Sequence, residues 1–459
     1  MGILELREHV DRQLQEQYRR RRPDDPAVNL RKTLVDELIQ LDEEGCEIDA
    51  ATAELLAADV LSMDVATVEA HLARLEGLPM RPGFQYEEPS DLAEIQAARP
   101  DGRPIPAADD DHYDRRLRGA WIGRCAGCTL GKPIEGWSRA EIRELLDTAD
   151  IGDLRFYVPY LEPNPTGRAW HPSAVYSAQG RIDGVPRDDD IDYCILALEI
   201  LETYGPCVTT ADFGQSWLEM LPYWRVYTAE RAAYRNLVLG LPTSEAATTR
   251  NPYREWIGAQ IRADVLGWVN PGRPEAAAAL AFRDAALSHV KNGIYGEMWA
   301  AATIAAAFSL DDPLEAVRAG MDQIPAKSRL HEALTNTLAW SEEYADWQDA
   351  WERVDEAYGH YNFVHTINNA CFVVLGLTYG RGDFAATVGI AVECGEDTDC
   401  NGATAGSILG ATKGAEVVPA EWTEHFHDRV ETIVSGIGTL RLSDLIARTA
   451  ALARGPFAA

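Results

Sequence analysis

The sequence predicts an all-α protein, and three observations lead there. Alanine-rich runs such as Glu275-Ala276-Ala277-Ala278-Ala279-Leu280 favour helix, because alanine loses no side-chain entropy on ordering. From about Tyr113 onward, small and apolar residues recur in helix-like segments. Alternating Val/Ile/Thr runs are largely absent, so strands should be few. Hydrophobic residues make up 46% of the 459, enough for one large core or several smaller ones.

The elements follow in chain order. Residues 1–80 read as an N-terminal helical extension of polar, amphipathic helices. Leu34, Leu38 and Leu41 follow helical spacing, and Met63-Asp64-Val65 reads as a turn between two further periodic segments. Arg19 to Arg22 form a basic cluster before Pro23, read as a solvated helix end. Residues 81–112 are rich in Pro, Gly and acids, the composition of a linker or of a segment that wraps a surface. Residues 113–459 form the main domain, with helices expected at Leu117–Leu130, Ile191–Leu201, Ala276–Ser288, Glu297–Phe308, Ile367–Tyr379 and Gly402–Lys413. Residues 151–187, rich in Pro, Gly and aromatics, read as a long loop over a pocket. Tyr223, Trp224, Tyr227 and Tyr234 could line the same pocket, although core packing is the reading favoured for them.

The net charge of −31 excludes some partners. Such a chain repels phosphate backbones and anionic lipid surfaces, so neither nucleic acid nor membrane is expected. The charged start shows no signal peptide and no apolar run reaches membrane-spanning length, which suggests a cytoplasmic protein. The eight cysteines show no disulfide-framework spacing, and most sit in apolar surroundings, as reduced buried thiols do. Cys125 and Cys128 form one C-x-x-C with no second pair, and Gly127 and Gly131 beside it suggest close helix packing rather than zinc or redox chemistry.

Three segments carry the chemistry. The first, Gly119 to Gly136, places glycines four apart and ends in Lys132-Pro133-Ile134-Glu135. Pro133 disfavours helix at Lys132, so Glu135 stands just beyond a buried helix, where a carboxylate can reach a cleft. The second runs Arg187-Asp188-Asp189-Asp190-Ile191-Asp192 into an apolar helix. Acids at a helix start are favoured by unpaired N–H groups and the helix dipole, so a cap with a solvated acidic turn is the plain alternative. The third, Glu396-Asp397-Thr398-Asp399-Cys400-Asn401-Gly402, repeats the arrangement, with Gly406 and Gly410 following. Carboxylates this close repel one another unless a cation neutralises them or water solvates them fully. Both acidic motifs enter apolar segments, so a bound cation is expected, and oxygen ligands suit Mg²⁺ or Mn²⁺ rather than zinc.

In order and spacing these segments resemble the ADP-ribosylglycohydrolase family, which includes the dinitrogenase reductase-activating glycohydrolases and the ADP-ribosyl-acceptor hydrolases. The likeness spans about residues 113–450. It implies a compact orthogonal helical bundle with two magnesium ions in a central cleft, and hydrolysis of an N- or O-glycosidic bond at the anomeric carbon of ribose. The family's T-D-D is matched by Asp188, Asp189 and Asp190, its D-x-D-T/S by Asp397, Asp399 and Cys400, and its glutamate by Glu135. The resemblance thus implies metal ligation by Asp188, Asp189, Asp190, Asp397, Asp399 and Cys400. It gives catalytic roles to Glu135, Asp189 and Asp399. For substrate contact it implies Gly258 in the place of a phosphate loop, together with His289, Asn292, Gly293, Tyr295, Gly296, His365 and Asn401.

Three departures stand out. Asp188 replaces a threonine, Cys400 replaces a hydroxyl, and Glu255-Trp256-Ile257-Gly258 lacks the Gly-Asn-Gly often found in the phosphate loop. A thiol is a poor magnesium ligand, and without a nest of N–H donors a pyrophosphate is held less tightly. Three readings follow: a glycohydrolase for an ADP-ribosylated substrate, the same chemistry on a small nucleoside- or nucleotide-like metabolite, or a metal-stabilised binding protein without catalysis. Residues 1–112 lie outside the likeness; a homodimer through the extension, a cover for the cleft and a partner site are all open.

Overall fold

The computed structural model describes residues 2–19 and 27–458. The basic cluster that starts at Arg19 runs on, through Arg20 to Arg22, outside the described residues. Helices carry nearly all regular structure, and two short two-stranded ladders are the strands among the described residues. The six expected main-domain helices appear as Asp110–Gly131, Asp189–Tyr204, Pro274–Ala285, Lys291–Ala307, Thr366–Gly380 and Thr398–Lys413. The fourth begins at Lys291 rather than Glu297. Gly293, inside its first turn, packs its bare Cα against the Arg254 carbonyl, where a Cβ would come within 2.5 Å.

The centre of the main domain is an antiparallel helix pair, Asp110–Gly131 against Thr398–Lys413. Gly119, Gly123 and Gly127 face Gly410, Gly406 and Gly402 in turn. A Cβ on Gly127 would lie 1.9 Å from the Gly402 carbonyl oxygen, so no residue larger than glycine fits without separating the helices. The first helix therefore ends beside the start of the second, and the Thr398 hydroxyl donates to the Gly131 carbonyl (2.8 Å). Beyond that junction Gly136, at φ +73°, turns the chain into Trp137–Ser138, which pairs antiparallel with Gly395–Glu396. Glu135 is thereby held next to the second acidic motif.

The extension is helical as expected (Ile3–Arg19, Ala27–Glu43, Asp49–Ala57, Val65–Leu75) and buries its own small core around Leu34, Leu38, Leu55 and Val68. The expected turn is real: Asp64 caps the Val65–Leu75 helix by accepting from the Thr67 amide (2.8 Å). The segment between extension and main domain wraps the surface and is pinned there by Glu88 to Arg329 (2.7 Å) and Arg103 to Asp322 (2.5 Å). The extension docks on residues 253–255. The Tyr253 hydroxyl donates to Asp36 (3.0 Å), Arg254 pairs with Glu37 (2.8 Å) and Glu44 (2.6 Å), and Gln40 donates to Glu255 (2.7 Å). No described helix is long and apolar enough to cross a membrane.

Candidate active site

A cleft of about 1440 Å³ opens where the two acidic motifs meet. Lys132, Glu135, Asp189, Asp397, Asp399 and Cys400 line one part of it. Asp188 caps the Asp189–Tyr204 helix and accepts from the Asp190 amide (2.9 Å), which fixes the motif at a helix start. Asp190 is locked from behind by the fully buried Arg124, whose Nη2 reaches its Oδ1 at 2.9 Å while Nη1 pairs with Asp264 at 2.5 Å. Asp192 faces away, held by Arg187 (2.6 Å) and the Thr432 hydroxyl (2.7 Å).

Between the motifs sits Lys132. Its Nζ lies 2.5 Å from Asp188 Oδ2, 3.1 Å from Asp399 Oδ2 and 3.1 Å from Glu135 Oε2. Lys132 has no role assigned from sequence; its place three residues before Glu135, at the end of the glycine helix, is the available signal. Burial works against the Lys132 charge, but the surrounding carboxylates, Asp188 first, raise its pKa well above the ordinary value.

The carboxylates divide by environment. Burial would raise Asp188, yet Lys132 and Arg187 bring it down to about 2. Burial and then the Asp188 charge push Asp189 up to about 7. Burial followed by Asp399 pushes Glu135 up to about 8, against the pull of Lys132. Burial also raises Asp190 and Asp397 well above the ordinary carboxylate value, and keeps the Cys400 thiol protonated. Such separation within one cluster is common at functional sites.

Among the described residues two groups have the reach to hold a cation: Cys128, Asp188 and Asp190, and Asp397, Asp399 and Cys400. Asp190 Oδ2 and Asp399 Oδ1 are buried without a hydrogen-bond partner. A buried orphan carboxylate oxygen is costly, and a hard divalent cation is the partner these oxygens fit. Cys128 was not among the predicted ligands; it sits one helical turn before Lys132 with its thiol pushed up by burial and then by Asp188.

The residues expected to touch substrate divide. Gly258 lines the cleft, but its Cα is covered by Glu230: a Cβ there would meet Glu230 Oε1 at 2.0 Å. Glu230 is ion-paired with Arg262 (2.8 Å), so a carboxylate occupies the place where the resemblance put a phosphate. The other seven are packed in the interior and none lines the cleft. His289 Nδ1 meets the Ser288 hydroxyl (2.8 Å), and burial holds its ring neutral. Asn292 donates to Glu255 and Glu88 (both 2.8 Å), and Tyr295 donates to the Pro89 carbonyl, so both fasten the wrapping segment. Gly296 packs on Thr366, and Gly293 on Arg254. His365 stacks on Tyr361 (4.3 Å between centroids), and Asn401 donates to Asn369 (2.8 Å). These contacts account for the residues as packing and fastening.

The loop expected over the pocket is there: His171, Pro172, Ser173, Tyr176 and Arg187 from it line the cleft. Tyr223, Trp224 and Tyr227 line the cleft too, against the favoured core reading, while Tyr234 is buried and bonds the Leu221 carbonyl (3.1 Å). Sequence reasoning also missed Arg7, Asn29, Leu30 and Lys32, which bring the extension into the cleft wall.

Comparison with known proteins agrees with this geometry. A solved structure titled "ADP-ribosylglycohydrolase-related protein complex" superposes with a TM-score of 0.52 at 19% identity, covering 75% of this chain and 99% of that one, and so shares the all-helical fold. A protein of Archaeoglobus fulgidus described only as uncharacterized is 25% identical over 319 residues, 69% of this chain and 93% of its own length. The family model for ADP-ribosylglycohydrolase matches residues 109–454, and the chain belongs to that family of glycosidic hydrolases. Its extension, before residue 109, lies outside the match.

Proposed function

We propose that this protein is a divalent-metal-dependent glycohydrolase that cleaves the bond at the anomeric carbon of ribose in an ADP-ribosyl or related substrate. The observation that carries this reading is the convergence of Glu135, Asp189, Asp397 and Asp399 on one cleft from three separate segments. Asp188, Asp189, Asp190, Asp397 and Asp399 would hold Mg²⁺ or Mn²⁺, which when bound orients ribose hydroxyls and polarises water. Glu135 is pushed up to about 8, so it carries a proton at neutral pH and can give it to the departing atom in the cleft it lines. Asp189 presents its carboxylate to the same space, where it stabilises the positive charge that builds on ribose as the bond breaks. Lys132 holds Glu135, Asp188 and Asp399 in register.

A second reading keeps the chemistry and changes the substrate to a small nucleoside- or nucleotide-like metabolite. The carboxylate of Glu230 over Gly258 favours the nucleoside-like member of that pair, since a phosphate at that loop would be repelled. Hydrolysis of ADP-ribosyl-arginine, ADP-ribosyl-serine and a panel of nucleosides, with and without EDTA, separates the two. The expected result is metal-dependent turnover of at least one, lost in Asp399→Ala with an unchanged melting profile. Full activity in that variant removes the metal-held mechanism; no turnover of any member by the metal-loaded protein removes the hydrolase reading.

A further inference from the structure

Away from the two acidic motifs, basic side chains outnumber the acids Asp11, Glu76 and Glu230 in the cleft lining. Arg225, Arg231, Arg235 and Arg250 line this part of it, with Arg7 and Lys32 from the extension. Three of these six are already neutralised: Arg7 lies near Asp36 (3.6 Å), Lys32 pairs with Asp11 and Asp36 (3.1 and 3.0 Å), and Arg250 pairs with Glu69 (3.1 Å).

The remaining three have no carboxylate partner among the described residues. Arg231 donates Nε to the Val226 carbonyl (2.6 Å), and its guanidinium lies 5.8 Å from the Trp224 ring centre and 5.3 Å from that of Tyr227. Arg235 meets only neutral oxygens, those of Asn236, Thr249 and Arg250, at 3.0–3.2 Å. Burial first, and then the neighbouring Arg250 charge, lower its pKa against the pull of Tyr223. Arg225 is exposed, and its side chain has no hydrogen-bond or ion-pair partner among the described residues. In a chain with 73 acidic and 42 basic residues, acids are plentiful, so internal pairing does not explain three uncompensated arginines on one short stretch. Trp224 beside them is 78% exposed, the most open large apolar side chain described. A planar ring and guanidinium groups side by side are what a ring-bearing phosphate recognises.

We propose that Arg225, Arg231 and Arg235 form an anion subsite at the far end of the cleft, taking a phosphate or diphosphate of the substrate with a planar group laid on Trp224. This rests on the glycohydrolase reading for the identity of the substrate, and moves the phosphate from the Gly258 loop, which Glu230 covers, to the Tyr223–Arg235 stretch. It also selects phosphorylated substrates over neutral nucleosides.

The test is calorimetric binding of ADP-ribose, inorganic pyrophosphate and ribose to the full-length protein with Mg²⁺. Wild type is compared with Arg225→Gln and Arg231→Gln, and with Arg235→Lys, which keeps the charge beside the Thr249 and Arg250 carbonyls that Arg235 bonds. The expected result is ADP-ribose binding much tighter than ribose, weakened about tenfold or more by each Gln variant with melting unchanged, and a shallower salt dependence. Unchanged ADP-ribose affinity in both Gln variants overturns the subsite, as does equal affinity of wild type for ribose and ADP-ribose. Arginine-dependent binding with no hydrolysis of any ribosyl substrate upholds the subsite and removes the hydrolase reading instead.

Discussion

At the scale of single residues, the site is a charge problem solved by Lys132. Its ammonium joins Asp188, Asp399 and Glu135, groups drawn from both ends of the main domain. Removing one partner of a buried ion pair typically costs about 3–5 kcal/mol. Lys132→Met should therefore lower the melting temperature in EDTA and show a larger rise than wild type when Mg²⁺ or Mn²⁺ is added, read by differential scanning fluorimetry. Equal metal-induced shifts would mean that Lys132 is not the counter-charge. Glu135→Gln should cut kcat by about 10²–10⁴-fold with little change in KM, if it moves the proton. A third expectation concerns Glu43 in the extension, whose carboxyl burial and then the Glu255 charge push up from 4.5 to about 8. The folded state holds this proton more tightly than the unfolded chain does. Stability from this group is therefore full below pH 4.5 and declines as pH rises toward about 8. Glu43→Gln should flatten that decline in a series of chemical melts; an unchanged pH profile counts against it.

At the scale of elements, the glycine pair decides the geometry. Gly127→Ala places a methyl carbon about where the Gly402 carbonyl stands, so the helices must part. Overpacking of this kind costs roughly 1–3 kcal/mol or more, and the expected result is a lower melting temperature together with weaker metal binding, since both acidic walls hang from the pair. An unchanged melt would show that the helices have room. How legible was this in the sequence? The helices and the two acidic motifs were, because alanine runs, glycine spacing and acids at helix starts are local signals. The two-residue ladder that sets Glu135 beside Asp397 was not, since Trp137-Ser138 and Gly395-Glu396 have no strand-like length. The burial of His289 and His365 was not legible either: a histidine beside Ser, Asn and Gly reads as polar chemistry, while its burial depends on segments far away in the chain. The Arg225–Arg235 stretch was read through its aromatics, and what its arginines lack, acidic partners, is a property of the fold alone.

At the scale of the molecule, the extension is a wall of the cleft as well as a neighbour. Tyr253, Arg254 and Glu255 dock it from one side, while Arg7 and Lys32 line the cleft from the other. Removing residues 1–80 leaves Arg254 without Glu37 and Glu44, an unpaired and formerly buried charge. The truncated chain is expected to melt earlier and to bind ADP-ribose more weakly than full-length protein in parallel titrations. Equal affinity would confine substrate contact to the family domain.

The short ladder between Trp137–Ser138 and Gly395–Glu396 has a kinetic meaning as well. Its two halves are separated by more than half of the chain, so the loop they close is long. Closure of such a loop comes late, after local helices have formed. A nascent chain emerging from the ribosome thus carries Asp188 to Asp190 for some two hundred residues of synthesis before Asp397 and Asp399 arrive. The first acidic motif must wait with Lys132 as company, and slow amide exchange at Gly136, which donates to the Glu396 carbonyl, would mark the moment the site is complete.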